Sequence, residues 1–125
     1  MRWLVLGCVT LVGCDDTIFP PNARDYTADW AGVEQFMYAE CANCHPSIEP
    51  SVDLPRDLHS DVCNADGYLV VAGDPDASML WRIVSGELNE TDPPQMPFGQ
   101  PPIPADDIEF LRQWIATGAS IEDCP

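Results

Sequence analysis

Three residues, Cys41, Cys44 and His45, have the types and the spacing most specific for chemistry in this chain. Two cysteines separated by two residues and followed by a histidine form the attachment motif of a c-type haem. In such a site the thiols form thioethers with the haem vinyl groups, and the histidine gives its imidazole to the iron. A C-x-x-C pair also occurs in zinc sites and in thiol redox sites, so the motif alone leaves three chemistries open.

A second candidate ligand, Met96, lies in a segment with six prolines in twelve residues, within residues 87–104 (the proline segment). Proline restricts the backbone, so this segment is predicted to be stiff. A stiff support suits the weak thioether ligand of a haem iron, because little conformational freedom is lost when it binds. Together with the upstream motif, this predicts Met96 as the distal axial ligand; the alternative is a surface loop with an incidental methionine. His59, the other histidine, is an alternative second axial ligand, but it lies in a charged stretch and is expected at the surface.

The N-terminus is predicted to be an export signal. Met1 and Arg2 precede an apolar run from Trp3 to Val12, which is too short to span a bilayer. The run ends in Leu-Val-Gly-Cys, which resembles the lipobox of bacterial lipoproteins. We therefore expect a signal peptide over 1–13, a lipidated Cys14, a tether over 14–28 and one domain over 29–125. The protein would lie on the periplasmic side of the inner or the outer membrane; the alternative is an ordinary signal peptide.

The remaining cysteines favour a disulfide. Of six cysteines, Cys8 leaves with the signal peptide, Cys14 takes lipid and two take haem, so that Cys63 and Cys124 remain. An exported protein lies in an oxidising compartment. A bond between them would close a loop of about 60 residues, for which chain entropy gives roughly 4 kcal/mol. Disulfides among all four domain cysteines also balance the count, which leaves a haem-free, disulfide-stapled lipoprotein as an alternative.

The composition excludes several functions. The 125 residues carry a net charge of −16, with five arginines and no lysine, which disfavours nucleic acid and anionic membrane surfaces as partners. A redox partner with a basic docking surface fits this charge. The sequence shows no paired carboxylates in an apolar setting, no serine nucleophile motif and no phosphate loop. We therefore expect no enzyme activity and no small-molecule substrate.

The elements that would position these residues are helices. Apolar residues at helical spacing predict a first helix over 29–43, capped by Asp29, and a last helix over 104–116. Between them, 46–73 is predicted as a wrapped loop with one helical turn at 55–60. A short helix is then predicted to begin at Pro75, with Asp74 as cap, and to end near Gly86. This is an all-α fold with three main helices and long proline-rich loops.

Three further side chains are candidate haem contacts. Trp81 and Arg82 on the short helix are candidate donors to the haem propionates, although a surface aromatic and a solvated arginine explain them equally well. Trp114 on the last helix is large enough to cover a haem edge or to lock this helix across the first one.

The order of these elements resembles class I c-type cytochromes, and more closely the small planctomycete-type cytochrome c domains of bacterial lipoproteins. The resemblance covers roughly residues 30–120 and rests on the motif at 41–45, the stretch 73–80, Met96-Pro97 and the ending from Asp107 to Ala119. It implies one covalent haem c, held by Cys41 and Cys44, with His45 and Met96 on the iron. The implied function is single-electron transfer between exported redox partners. The alternative is a haem-containing docking or sensor domain of a larger exported enzyme system.

Overall fold

Four α-helices make up the regular structure of this computed structural model, which describes residues 26–42, 44–45 and 54–125. Within these residues the backbone forms no strand, only an isolated bridge between Val71 and Asp74. The predicted all-α class is confirmed over this part of the chain. No helix there has the length and apolar character needed to cross a membrane. The helices are α1 (Trp30–Glu40), α2 (Leu54–Asn64), α3 (Met79–Ser85) and α4 (Ala105–Ala116).

The predicted cap begins α1. The side chain of Asp29 accepts a hydrogen bond from the backbone N–H of Gly32 at 2.9 Å, and this bond lowers the pKa of the carboxyl group. A buried face of Val33, Phe36 and Met37 follows, at the spacing that the sequence predicted. The helix ends at Glu40, before the predicted end at 43.

Helix α2 is longer than predicted: eleven residues replace a single helical turn in a loop. Pro55 lies in the first turn, where a missing N–H breaks no helical hydrogen bond, so this proline starts the helix rather than preventing it. Leu58 is fully buried, and α2 packs on α1.

Helix α3 begins four residues later than predicted. Asp74 does accept an N–H, from Ala77 at 3.1 Å, but this bond caps a turn. The helix starts after Ser78, whose buried Oγ accepts from the N–H of Val71 at 2.9 Å and donates to the carbonyl of Asp74 at 2.8 Å. The predicted end is confirmed, since Gly86 takes the left-handed conformation at φ +83°.

Helix α4 joins α1 and α3 in one core. It buries Leu111, Trp114 and Ile115, and α3 packs on it. Tyr26 packs between α1 and α4, with its ring centroid 5.7 Å from that of Phe36 and 5.2 Å from that of Phe110. The packed part of the chain therefore includes Tyr26, which the prediction assigned to the tether.

A disulfide joins Cys63 on α2 to Cys124, with the Cα atoms 5.3 Å apart. This is the pairing that the cysteine count favoured. Next to it, His59 Nε2 lies 3.2 Å from an oxygen of Asp123, so the C-terminal segment is held on α2 by a covalent and a polar contact.

Candidate functional site

The C-x-x-C-H motif lies in the turn that ends α1. The backbone N–H of Cys41 bonds to the carbonyl of Met37 at 3.0 Å, which completes the last helical turn. The N–H groups of Cys44 and His45 both bond to the carbonyl of Cys41, at 3.2 and 2.9 Å. This turn holds the two cysteines and the histidine together as one local unit. Neither Cys41 nor Cys44 is in a disulfide, so both sulfurs are free to bond to another group.

The two thiols differ in their surroundings. Cys41 is half-buried and packs against the core, whereas Cys44 is exposed. Burial raises the pKa of Cys41 to about 12, and the charges of Glu40 and Cys44 add to the increase. The apolar surroundings of Cys41 therefore disfavour the free thiolate that a redox-active thiol uses, and they suit a neutral sulfur such as a thioether.

The backbone of Met96, which lies within the proline segment, is hydrogen-bonded to α3. Its backbone N–H donates to the carbonyl of Ile83 at 2.8 Å. The side chain of the preceding residue, Gln95, packs against Gly86. A Cβ atom added to Gly86 would lie 3.0 Å from the amide nitrogen of Gln95. A cleft of about 390 Å³ runs along the segment, and the half-buried Met96 is among the residues that line it.

An ion pair fixes the segment at its start. Arg82 on α3 donates through Nε and Nη2 to the two oxygens of Asp92, both at 2.7 Å. The carboxylate is 4 % exposed, and the hydrogen bonds from Arg82 lower the pKa of Asp92 to about 2. Nη1 of Arg82 donates to the carbonyl of Asp76 at 3.1 Å. The guanidinium of Arg82, a candidate haem contact, is therefore occupied by bonds within the chain. The sequence did not indicate its partner, Asp92.

Trp81, the neighbouring candidate, has no such partner. Its indole nitrogen Nε1 is buried, and it has no hydrogen-bond acceptor among the described residues. Buried polar atoms are nearly always paired, so an acceptor is expected from another source. An oxygen of a bound group would meet this requirement.

Trp114 and His59 both lie beside Trp30 at the start of α1, whereas the C-x-x-C-H motif lies at its end. Trp114 is 2 % exposed, donates to the carbonyl of Ser120 at 3.3 Å, and has its ring 6.1 Å from that of Trp30. Of its two predicted roles, this geometry favours the locking of α4 across α1. The half-buried ring of His59 lies 5.5 Å from that of Trp30, so it is less exposed than the sequence indicated.

The predicted site residues thus fall into two groups. Cys41, Cys44 and His45 lie at the end of α1, whereas Trp81, Arg82 and Met96 lie on α3 and the proline segment. Residue 43 and residues 46–53, which link the motif to α2, lie outside the described residues, as do the signal peptide and Cys14. In the described part of the chain, no cluster of three or more His, Cys, Asp and Glu side chains could hold a metal ion.

No family model matches this chain, and searches of curated proteins and of solved structures find no match either.

Proposed function

We propose that this chain is a mono-haem c-type cytochrome, attached to a membrane by lipid at Cys14, that carries single electrons between exported redox partners. The observation that carries the proposal is the local unit of Cys41, Cys44 and His45, in which both sulfurs are outside disulfides and Cys41 packs against the core. A thioether carries no charge, so it suits these apolar surroundings better than the free thiolate of a redox couple does.

The residues fit a covalent haem in two respects. Both sulfurs of the motif are free, although the chain contains a disulfide elsewhere. The free sulfurs argue against the haem-free alternative, in which all four domain cysteines are paired. In addition, the buried N–H of Trp81 needs an acceptor, which a haem propionate would supply. A bound haem would supply an iron that alternates between ferric and ferrous states.

The chain itself would hold the iron and limit its chemistry. His45 would occupy one axial position and Met96 the other, which leaves no open position for oxygen or peroxide. A methionine sulfur is a weak ligand, so its support has to be ordered before it binds. The bonds of the proline segment to Ile83 and Arg82 supply this order. This proposal includes a small cytochrome c-like fold, with α1, α3, α4 and the proline segment around one haem.

Expression with a c-type maturation system tests the proposal. We expect the polypeptide mass to increase by one haem and the visible spectrum to be that of a low-spin c-type cytochrome. A polypeptide without added haem mass would contradict the proposed function.

Two methionine variants test the distal ligand. Met96→Leu removes the sulfur at nearly constant volume, and Met79→Leu does the same at a half-buried position on α3. We expect Met96→Leu to abolish the weak sulfur-to-iron charge-transfer band and to lower the reduction potential, and Met79→Leu to retain both. If Met96→Leu retains the band as well, another residue is the distal ligand, and His59→Ala is the next variant to measure.

A further inference from the structure

Arg112 on α4 is a half-buried cation that forms no ion pair with a carboxylate of the described residues. The chain has 21 acidic residues against five arginines, so an arginine without an ion pair is unexpected. Arg56 pairs with Asp57, and Arg82 pairs with Asp92. None of the ion pairs among the described residues includes Arg112.

The guanidinium of Arg112 instead lies over the ring of Trp81, with Cζ 5.8 Å from the ring centroid. The same ring carries the buried N–H that lacks an acceptor. A charged donor and a buried N–H donor thus belong to one contact between Arg112 and the Trp81 ring, where α3 packs on α4, and neither has an oxygen partner among the described residues. A cation beside a buried donor is an arrangement that binds a carboxylate.

We infer that Trp81 and Arg112 together hold a haem propionate; this inference rests on the proposed function. The propionates are the carboxylates of haem, and a partly buried carboxylate requires both hydrogen bonds and an opposite charge. Arg82, the other candidate on α3, is already bound to Asp92 and Asp76. The assignment of the second propionate donor therefore moves from Arg82 on α3 to Arg112 on α4.

The inferred contact would connect two parts of the site. Trp81 lies two residues before Ile83, whose carbonyl holds the backbone of Met96. Helix α3 would therefore fix both the edge of the haem, through Trp81, and the distal ligand, through Ile83. Arg112 would place a positive charge near the iron, and this charge favours the ferrous state, which carries one positive charge less than the ferric state.

The test compares four variants of the haem-loaded protein. Arg112→Gln removes the charge, Arg112→Lys retains it, and Trp81→Phe removes only the N–H while it keeps an aromatic ring. Arg56→Gln is the matched control, because this arginine has a side chain that is 71 % exposed and lies on α2. The measurements are the midpoint potential and, in the ferrous state, the NMR resonances of haem whose carboxyl carbons are labelled with carbon-13.

We expect Arg112→Gln to lower the midpoint potential and to shift one of the two propionate resonances. Arg112→Lys should restore most of the potential, since the charge is retained. Trp81→Phe should shift the same resonance with a smaller change in potential, and Arg56→Gln should leave both measurements at the wild-type values.

The inference is wrong if haem is attached and neither Arg112→Gln nor Trp81→Phe shifts a propionate resonance beyond the change in Arg56→Gln. In that case the proposed function stands. If the wild-type chain carries no haem, the proposed function fails first, and the inference fails with it. Should Arg112→Gln not fold, the resonance shift in Trp81→Phe decides the outcome.

Discussion

Replacement of Asp61 by alanine is expected to destabilise the domain strongly. Asp61 lies on α2 and is 5 % exposed. Its carboxylate accepts three backbone N–H groups, from Tyr68 at 2.8 Å, Leu69 at 3.0 Å and Val70 at 2.9 Å. In the alanine variant all three donors lose their acceptor, and those of Leu69 and Val70 are buried.

The size of the effect follows from these three bonds. A hydrogen bond to a charged group contributes about 1.5–3 kcal/mol net, and an unpaired buried donor costs about 1–3 kcal/mol. Because the three bonds share one acceptor, we expect a loss of about 4 kcal/mol in the free energy of unfolding. This is a large fraction of the roughly 5–15 kcal/mol that stabilises a typical domain. Asp61→Asn keeps one acceptor oxygen and should lose less.

Urea unfolding of the haem-loaded protein measures the loss. Asp66→Ala is the control, since it removes an exposed carboxylate from the same turn. The segment after Asp61 also supports α3, because the carbonyl of Leu69 accepts from the N–H of Leu80 at 3.0 Å. If the proposed haem site is correct, we therefore expect Asp61→Ala to lose the charge-transfer band proposed for Met96 at lower urea than the wild type. A loss in Asp61→Ala no larger than that in Asp66→Ala would refute this reasoning.

Three further predictions follow from single interactions. Replacing Cys63 and Cys124 by serine opens a loop with a sequence separation of 61. Chain entropy predicts that the free energy of unfolding, measured in urea, falls by about 4 kcal/mol, and a fall below about 1 kcal/mol contradicts the loop-entropy argument. In folded protein made without haem, iodoacetamide at about pH 8 should label Cys44 much faster than Cys41, whose pKa is raised to about 12. Timed labelling and mass spectrometry check this, and equal rates would contradict the burial of Cys41. Arg82 lowers the pKa of Asp92 to about 2, so the stability from this carboxylate is present above its ordinary pKa of about 4 and is lost as the pH falls through about 2. In the haem-loaded form that we propose, an acid titration of the charge-transfer band proposed for Met96 should follow this loss. Asp92→Asn should show a weakened band at neutral pH, and a band unaffected by this substitution means that the ion pair does not hold the segment.

Three of the four helices could be predicted from local pattern, although α3 begins four residues later than predicted. In α1 and α4 the apolar residues recur at helical spacing and polar residues mark the start, so burial and local preference agree. Helix α2 was predicted only as a single turn. Leu54, Leu58 and Val62 recur at helical spacing, but the neighbouring prolines and polar residues favoured a loop. The buried side chains of α2 also include Asp61, whose carboxylate is bound by a segment that follows the helix, and this tertiary contact leaves no signal in the sequence.

The site shows the same division between local and distant contacts. Cys41, Cys44 and His45 are adjacent in sequence, so their association could be predicted without a fold. Trp81 and Arg82 were equivalent candidates by position, yet the structure separates them: Asp92 pairs with the arginine, and nothing in the described chain pairs with the indole nitrogen. That difference arises because the irregular segment after α3 places Asp92 beside Arg82. The path of the backbone, rather than the residue type, decides which side chain finds a partner.

The burial of Cys41 bears on all three chemistries of the motif. Packing against the core excludes water from the thiol, and Glu40 adds a negative charge beside it, so both effects oppose a thiolate. A redox couple would have to overcome this cost in every state in which the sulfur is charged, whereas a zinc site would offset it only with the charge of the bound ion. A thioether carries no charge, so the same apolar surroundings favour it. Cys41 also packs at the edge of the core, where an attached haem would extend the buried apolar surface rather than interrupt it. The burial that makes Cys41 a poor thiolate therefore makes it a suitable covalent anchor.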